Sequence, residues 1–263
     1  WPNFLNYQMY AGDMKDKNLA GRLILKNVSH SYGSVAVIED LNIEVGSGEV
    51  VVIVGPSGCG KTTILNLLSE YIHPRSGSVE SKGIIRTLYQ QDGLFPWLTV
   101  SENISLGLRS IPDQSKRQEE LKTLLELIHL ADFCNHYPHE LSGGMRQRVE
   151  LARVLAGDSD ILLMDEPFSA LDYQTRLRMR GEFARLLEMR PRTVVFVTHD
   201  IEEAAQLADR VLVLTSRPAT ICRELTVGTA RPRDLTDTAV VKAMKEILEE
   251  LGLQSSSRKS VEA

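Results

Sequence analysis

The stretch Gly55–Thr63, GPSGCGKTT, sets three glycines, a lysine and two threonines close together. Its spacing, G-x-x-x-x-G-K-[ST], suits a phosphate cradle. Gly55, Gly58 and Gly60 let the backbone wrap the β- and γ-phosphates of a nucleotide at close range. Lys61 brings a cation to the same oxygens, and the Thr62 hydroxyl suits Mg²⁺, which takes hard oxygen ligands. Cys59 reads as a small filler of the loop rather than a reacting group. Without its surroundings the stretch would also pass as a glycine-rich turn with a solvated lysine.

Two further stretches carry chemistry. ILLMDEP places Asp165 and Glu166 where an apolar run ends. Neighbouring carboxylates there point in different directions, so Asp165 fits a ligand to Mg²⁺ and Glu166 a group that polarises an attacking water. The plainer reading is a strand ending in solvated acids. LSGGMRQRVELARVLAG, Leu141 to Gly157, opens with a serine and two glycines and continues at helical spacing through Met145, Val149, Ala152 and Ala156. Ser142 is a suitable N-cap and Gly157 a suitable stop. The bare amides of Gly143 and Gly144 make a second anion cradle, yet one without a lysine.

The elements that must hold these residues are legible as alternating strands and helices. A strand-like pattern covers Leu23 to Val45, with Leu41, Ile43 and Val45 on one face, and a turn follows at Gly46 to Glu49. Val51 to Val54 is apolar on both faces, as a buried parallel strand should be, and the run after Lys61 opens a helix. Ile161 to Met164, Thr193 to Thr198 and Val211 to Leu214 are further buried strands. The helix after Asp172 presents Leu177, Ala184 and Leu187; the one after Asp200 presents Ile201, Ala204, Ala205 and Ala208. This alternation predicts an α/β fold with a largely parallel sheet. From about Ser101 to Ala156 the pattern is helical, with Leu121, Leu124, Leu125 and Ile128 on one apolar side. A loop at Arg231 to Asp237, a helix at Val240 to Leu251 and a polar, disordered tail are expected to close the chain.

Composition allows this and excludes other classes. The 263 residues are 43% apolar and 25% charged, with a net charge of -5, so no basic surplus marks a nucleic-acid binder. No apolar run approaches the ~20 residues of a membrane helix. The first residues lack the basic flank and apolar stretch of a secretory leader. Cys59, Cys134 and Cys222 are too scattered for a disulfide framework or a zinc site.

The motifs together resemble the ATP-binding cassette (ABC) family of transport ATPases. GPSGCGKTT resembles its Walker A loop, ILLMDEP its Walker B strand, LSGGMRQ its signature and SALD, Ser169 to Asp172, its D-loop. VTHD holds His199 where the switch histidine sits, Gln90 falls at the Q-loop position, and Tyr32 falls where an aromatic stacks on adenine. The resemblance implies a P-loop NTPase fold with a mostly parallel core sheet, an antiparallel β subdomain and a helical signature subdomain. It implies an extension over 1–21, the ATPase domain over 22–230 with the helical part at about 95–157, and a C-terminal helix and tail over 231–263. It further implies ATP contacts from Tyr32 and from Gly55, Pro56, Ser57, Gly58, Cys59, Gly60, Lys61, Thr62 and Thr63. Mg²⁺ would be held by Thr62, Gln90 and Asp165, and the catalytic set would be Glu166, His199 and Gln90. Cassettes of this family pair head to tail, so Ser142, Gly143, Gly144, Gln147 and Asp172 would meet the ATP of a second ATPase subunit, an identical chain or a paralogue. That explains the lysine-free cradle, because ATP bridges two half-sites and its hydrolysis releases them.

With no membrane span, the resemblance implies a separate permease and a peripheral place on the cytoplasmic face of the cell membrane. Leu94, Phe95, Pro96 and Trp97 follow the Q-loop, where the family docks its membrane subunit; core packing is the alternative for Phe95 and Trp97. PWLTV and RPRDLTD resemble the nitrate, sulfonate, taurine and bicarbonate importers, which also use a substrate-binding protein. The competing class is an ABC ATPase acting on nucleic acid or ribosomes. A P-loop small-molecule kinase would leave LSGGMRQR and SALD without a purpose.

Overall fold

A computed structural model of the chain describes residues 21–90 and 93–253. The expected N-terminal extension and polar tail, and Gln91 and Asp92 of the Q-loop stretch, lie outside the described residues.

Six strands form the central sheet. They are β3 (Val50–Val54), β5 (Ile85–Leu88), β6 (Ile161–Asp165), β7 (Thr193–Val197), β8 (Arg210–Leu214) and β9 (Ile221–Thr226), in the order β5-β6-β7-β3-β8-β9. Neighbours run parallel except β9, which pairs antiparallel with β8. Alternation along each central strand feeds two separate cores. Val50, Val52 and Val54 of β3 enter the larger one, and Val51 and Ile53 the smaller. Leu162 and Met164 against Ile161 and Leu163 repeat this on β6. Both faces are therefore covered, which is why these strands read as unbroken apolar runs.

The smaller core lies between this sheet, helix α1 (Lys61–Leu68) and a three-stranded antiparallel sheet, order β2-β1-β4, made of β1 (Arg22–Tyr32), β2 (Val35–Val45) and β4 (Ser76–Lys82). The strand-like stretch from Leu23 to Val45 is thus two strands, turned at Gly33, whose φ of +59° suits glycine. Helices α2 (Val100–Ser105), α3 (Gln114–Leu127), α4 (Gly143–Leu155), α5 (Tyr173–Met189), α6 (Ile201–Leu207) and α7 (Thr238–Glu250) build on the larger core.

The α/β alternation, both apolar faces of the strands and the helical stretch after residue 100 appear as expected. Three strands had no legible pattern. β4 (SGSVESK) is nearly all exposed, β5 has four residues, and β9 is mixed. Their pairing rests on backbone hydrogen bonds at sheet edges, which side-chain periodicity does not report. The buried face of α5 is wider than the expected one: Ala184 and Leu187 are buried as expected and Leu177 is half-buried, but Met179, Arg180, Phe183 and Leu186 are buried too. A buried arginine in that stripe hides it from an apolar count.

Arginines close the helix ends that the core leaves bare. Arg192, buried at the end of α4, donates to the carbonyls of Leu155 (3.1 Å) and Gly157 (2.8 Å), and Arg86 donates to Gly107 (2.8 Å). In RPRDL, the buried Arg233 donates to the carbonyls of Thr229, Ala208 and Val227, and Arg231 to Leu207. That stretch is therefore a clasp over the C-terminus of α6, satisfying carbonyls that a helix end leaves without partners.

Candidate functional site

The carboxyl ends of β3, β6 and β8 open on one cleft of about 370 Å³. Such crevices are where parallel α/β sheets receive ligands. The loop from Gly55 forms its floor. Gly58 (φ +72°) and Gly60 (φ +124°) adopt backbone conformations open to glycine. A Cβ on Gly60 would also come within 2.9 Å of Val37 Cγ1. Gly60→Ala is therefore expected to distort the cradle and lower ATP affinity by at least about tenfold, measured by titration with a fluorescent ATP analogue.

Lys61 is buried, and its Nζ donates to the carbonyls of Gly55 (2.8 Å) and Pro56 (3.1 Å), so the ammonium is drawn under the loop. The Cys59 side chain turns away into the smaller core, and a Cβ on Gly55 would meet its Sγ at 3.0 Å. Cys59 thus fills space, as its type suggested, and offers the loop only its backbone. Ser57, Thr62 and Thr63 line the cleft with Tyr32 and Gln90.

Thr62 is the second residue of α1 and Asp165 ends β6, and the Thr62 hydroxyl donates to Asp165 Oδ2 at 2.7 Å. Asp165 is 4% exposed. Burial pushes its carboxyl above the usual carboxylate range, and Glu166 adds to this, while the Thr62 hydrogen bond and Lys61 oppose it. A buried carboxylate beside a hydroxyl, in a cleft also lined by Gln90, is a hard-oxygen donor set that fits Mg²⁺.

Glu166 follows with φ +49°, a left-handed conformation rare for a side chain of its kind and costing about 1–2 kcal/mol. The turn is held from both sides. Glu166 N donates to Val197 O (3.0 Å), and Glu166 O accepts from Gln147 Nε2 (2.9 Å) and Ser169 Oγ (3.1 Å). The Glu166 carboxylate meets His199: Oε1 lies 3.1 Å from Nδ1. A carboxylate accepts, so Nδ1 is the donor and Nε2 remains for another partner. Imposed strain of this kind concentrates at functional sites.

Tyr32, the last residue of β1, is half exposed at the cleft mouth, its ring edge-on to His30 at 4.9 Å. It is therefore not core packing. The cleft also contains two residues that the motif reading missed, Val37 and Arg217. Arg217 Nε donates to Gly58 O and so grips the loop tip. Its position three residues beyond β8, the strand beside β3, was the available signal, because ligands gather past the ends of adjacent strands.

The second cradle does not line this cleft. Ser142 caps α4, accepting from Met145 N at 3.2 Å, which is worth about 1 kcal/mol. Gly144 lies against Ala170 and Leu171 of the SALD turn, where an added Cβ would stand 3.0 Å from Ala170 O. Gln147 is used within its own chain. Besides Glu166 O, its amide bonds Ser169 Oγ and accepts from Ala170 N at 2.9 Å. Asp172 caps α5 through Thr175 N at 3.0 Å, a bond that holds its carboxyl below the usual range.

The group after Gln90 divides. Leu94 is core, whereas Phe95 and Trp97 are 40% and 69% exposed, their rings 5.4 Å apart. The fully buried Asn103 shapes this loop, donating to the carbonyls of Phe95, Leu98 and Thr99 and accepting from Phe95 N. Core packing thus accounts for Leu94 but not for Trp97.

Residues 38–169 match the ABC transporter family model. An aliphatic sulfonates import ATP-binding protein, SsuB 2, of Pseudomonas syringae pv. tomato is 41% identical over 84% of this chain and 94% of its own. SsuB 1 of Rhodococcus jostii is 42% identical over 90% and 96%. The choline transport ATP-binding protein OpuBA of Bacillus subtilis is 37% identical over 91% of this chain and 65% of its own. Among solved structures, the dimeric bacterial ABC transporter cassette MJ0796 superposes with a TM-score of 0.71 at 33% identity, covering 79% of this chain and 99% of that one. Its post-hydrolysis form with ADP and Pi gives 0.70 at 32% identity over the same shares.

Proposed function

The chain belongs to the ABC transporter family as the ATP-hydrolysing subunit of an importer, and from that premise we propose how its residues divide the work and what the work drives. The carrying observation is that Thr62–Asp165 and Glu166–His199 pair at 2.7 and 3.1 Å where β6 meets the phosphate loop. Tyr32 stacks on adenine, and the loop from Gly55 to Thr63 holds the phosphates with Lys61 as the cation. Thr62, Asp165 and Gln90 would hold Mg²⁺, which would supply positive charge against the phosphates. Glu166 takes the proton of the attacking water. His199 orients Glu166 through Nδ1–H, and its contact with the γ-phosphate is made by the ring with both nitrogens protonated, Nε2–H donating.

The arrangement is completed by a second ATPase subunit, identical or paralogous, whose Ser142, Gly143 and Gly144 cover the γ-phosphate and whose Asp172 and Gln147 border it. Two features support this: the signature cradle is lysine-free and apart from the cleft of its own chain, and the related cassette of known structure is a dimer. We take the ATPase domain as 22–230 with its helical part near 95–157, and the C-terminal helix as packed on its larger core through Val240, Ala243 and Ile247.

No described helix is long and apolar enough to cross a membrane. We place the chain on the cytoplasmic face of the membrane, bound to a permease through Phe95 and Trp97 and served indirectly by a substrate-binding protein. The cargo is a small anion of the sulfonate, nitrate, taurine or bicarbonate kind, the two SsuB relatives favouring a sulfonate. Such names are those of import subunits, and this favours transport over action on nucleic acid or ribosomes. In vesicles holding the permease and its binding protein, wild-type chain should import an aliphatic sulfonate on ATP. Trp97→Ala should cut uptake and permease co-purification by about tenfold or more, as loss of an aromatic anchor does. Basal hydrolysis and melting temperature should stay near wild type, because Trp97 is exposed. Full uptake by Trp97→Ala would remove this surface from the docking site.

A further inference from the structure

His199 has an exposed side chain, 64% accessible, whose described hydrogen-bond partner is Glu166. Its orientation must therefore come from its backbone, and both flanking residues are fixed from below. Thr198 Oγ1 donates to Glu203 Oε2 (2.7 Å) and accepts from Asp200 N (3.0 Å). Asp200 Oδ1 caps α6, accepting from Glu202 N (2.9 Å) and Glu203 N (3.2 Å). Its Oδ2 takes two arginines of α5: Arg180 Nη2 at 2.8 Å and Arg176 Nη1 at 3.0 Å.

The two arginines are not equivalent. Arg180 is wholly buried and also meets Glu202 and Glu203, so it welds α5 to α6. Arg176 is partly exposed, and its second nitrogen goes elsewhere: Nη2 donates to Leu171 O at 3.0 Å. One planar guanidinium thus joins the backbone of the Ser169–Asp172 turn to the carboxylate beside His199. The fold itself is already tied at Asp200 by Arg180; what Arg176 adds is the link to the turn.

We propose that Arg176 is a positioning residue for hydrolysis, a fork that makes the pose of His199 against Glu166 depend on the place of the Ser169–Asp172 turn. The proposal rests on the roles given above to Glu166 and His199. In the paired arrangement that turn borders the partner's nucleotide, so the fork would carry the state of one site to the histidine of the other. A lysine cannot replace it, because a single ammonium lacks the rigid two-pronged geometry.

The test uses the intact chain with Arg176→Met, Arg176→Lys, His199→Ala and the Arg176→Met/His199→Ala double variant. Binding of a fluorescent ATP analogue, thermal unfolding and single-turnover hydrolysis of labelled ATP are measured for each. Both Arg176 variants should hydrolyse at least about tenfold more slowly while binding ATP within about threefold of wild type, the pattern of a lost transition-state contact. In the His199→Ala background, Arg176→Met should change the remaining rate by less than about twofold, because residues acting as one unit are not additive. A wild-type rate in Arg176→Lys, or losses that multiply in the double variant, would overturn the fork. Normal hydrolysis by His199→Ala alone would instead overturn the reading of the histidine.

Discussion

Glu166→Gln is expected to cut the rate of ATP hydrolysis by about three orders of magnitude, within the range that a positioned general base contributes. The amide keeps the shape of the carboxylate and its left-handed backbone, which is fixed by Val197, Gln147 and Ser169 rather than by the side chain. It can still meet His199 Nδ1 through its oxygen, but it no longer accepts a proton from water. The phosphate loop and the Thr62–Asp165 pair are untouched, so ATP binding should persist. Rapid-quench hydrolysis and retention of labelled ATP after gel filtration read the two effects separately. Turnover near wild type would remove Glu166 from the chemistry, and loss of bound ATP would make it a binding residue.

Rescue of ATP trapping by mixing two inactive pools is the second large effect. Every chain carries Glu166→Gln so that bound ATP is held. One pool adds Lys61→Ala, which removes the ammonium drawn under the loop by Gly55 and Pro56. The other adds Ser142→Arg, which fills the signature cradle with bulk and gives up the cap on Met145 N. Circular dichroism checks that α4 survives, since the cap is worth only about 1 kcal/mol. If each site joins Lys61 of one chain to Ser142 of the other, neither pool alone has an intact site. In a mixed dimer both lesions fall on one site and the other is whole. Mixing should therefore raise occluded ATP from background to as much as about one per mixed dimer, a population shift driven by ligand that bridges two halves. Crosslinked mixed dimers that occlude no ATP would show that the two cradles do not share a nucleotide.

The sequence by itself determined the chemistry and the class of fold. Glycine at positions 55, 58 and 60, the lysine and threonine after them, and two acids ending an apolar run are local requirements, met within a few residues of chain. The buried strands were legible for a similar reason: a strand covered on both faces must be apolar throughout, and Val50–Val54, Ile161–Met164 and Val211–Leu214 are. The capping serine at 142 likewise acts on an amide three residues away.

Tertiary structure decided what depends on residues far apart in the chain. The polar edge strand β4 carries no apolar period and exists because β1 offers it hydrogen bonds. Arg217 reaches the phosphate loop because β8 pairs with β3, a neighbour relation that no local pattern encodes. Gln147 looks in the sequence like part of an outward cradle, yet the fold brings the Glu166–Ala170 turn to its amide and satisfies it within its own chain. Phe95 and Trp97 have the composition of core, and only the packing of Leu94 and Asn103 beneath them leaves their rings outside. Arg176 and Arg180 read as ordinary helix charges; the approach of α5 to the start of α6 turns them into the support of His199. Periodicity reports which side of a segment is apolar, whereas these contacts join polar groups across different elements, and their positions are fixed only once the sheet has set which elements meet.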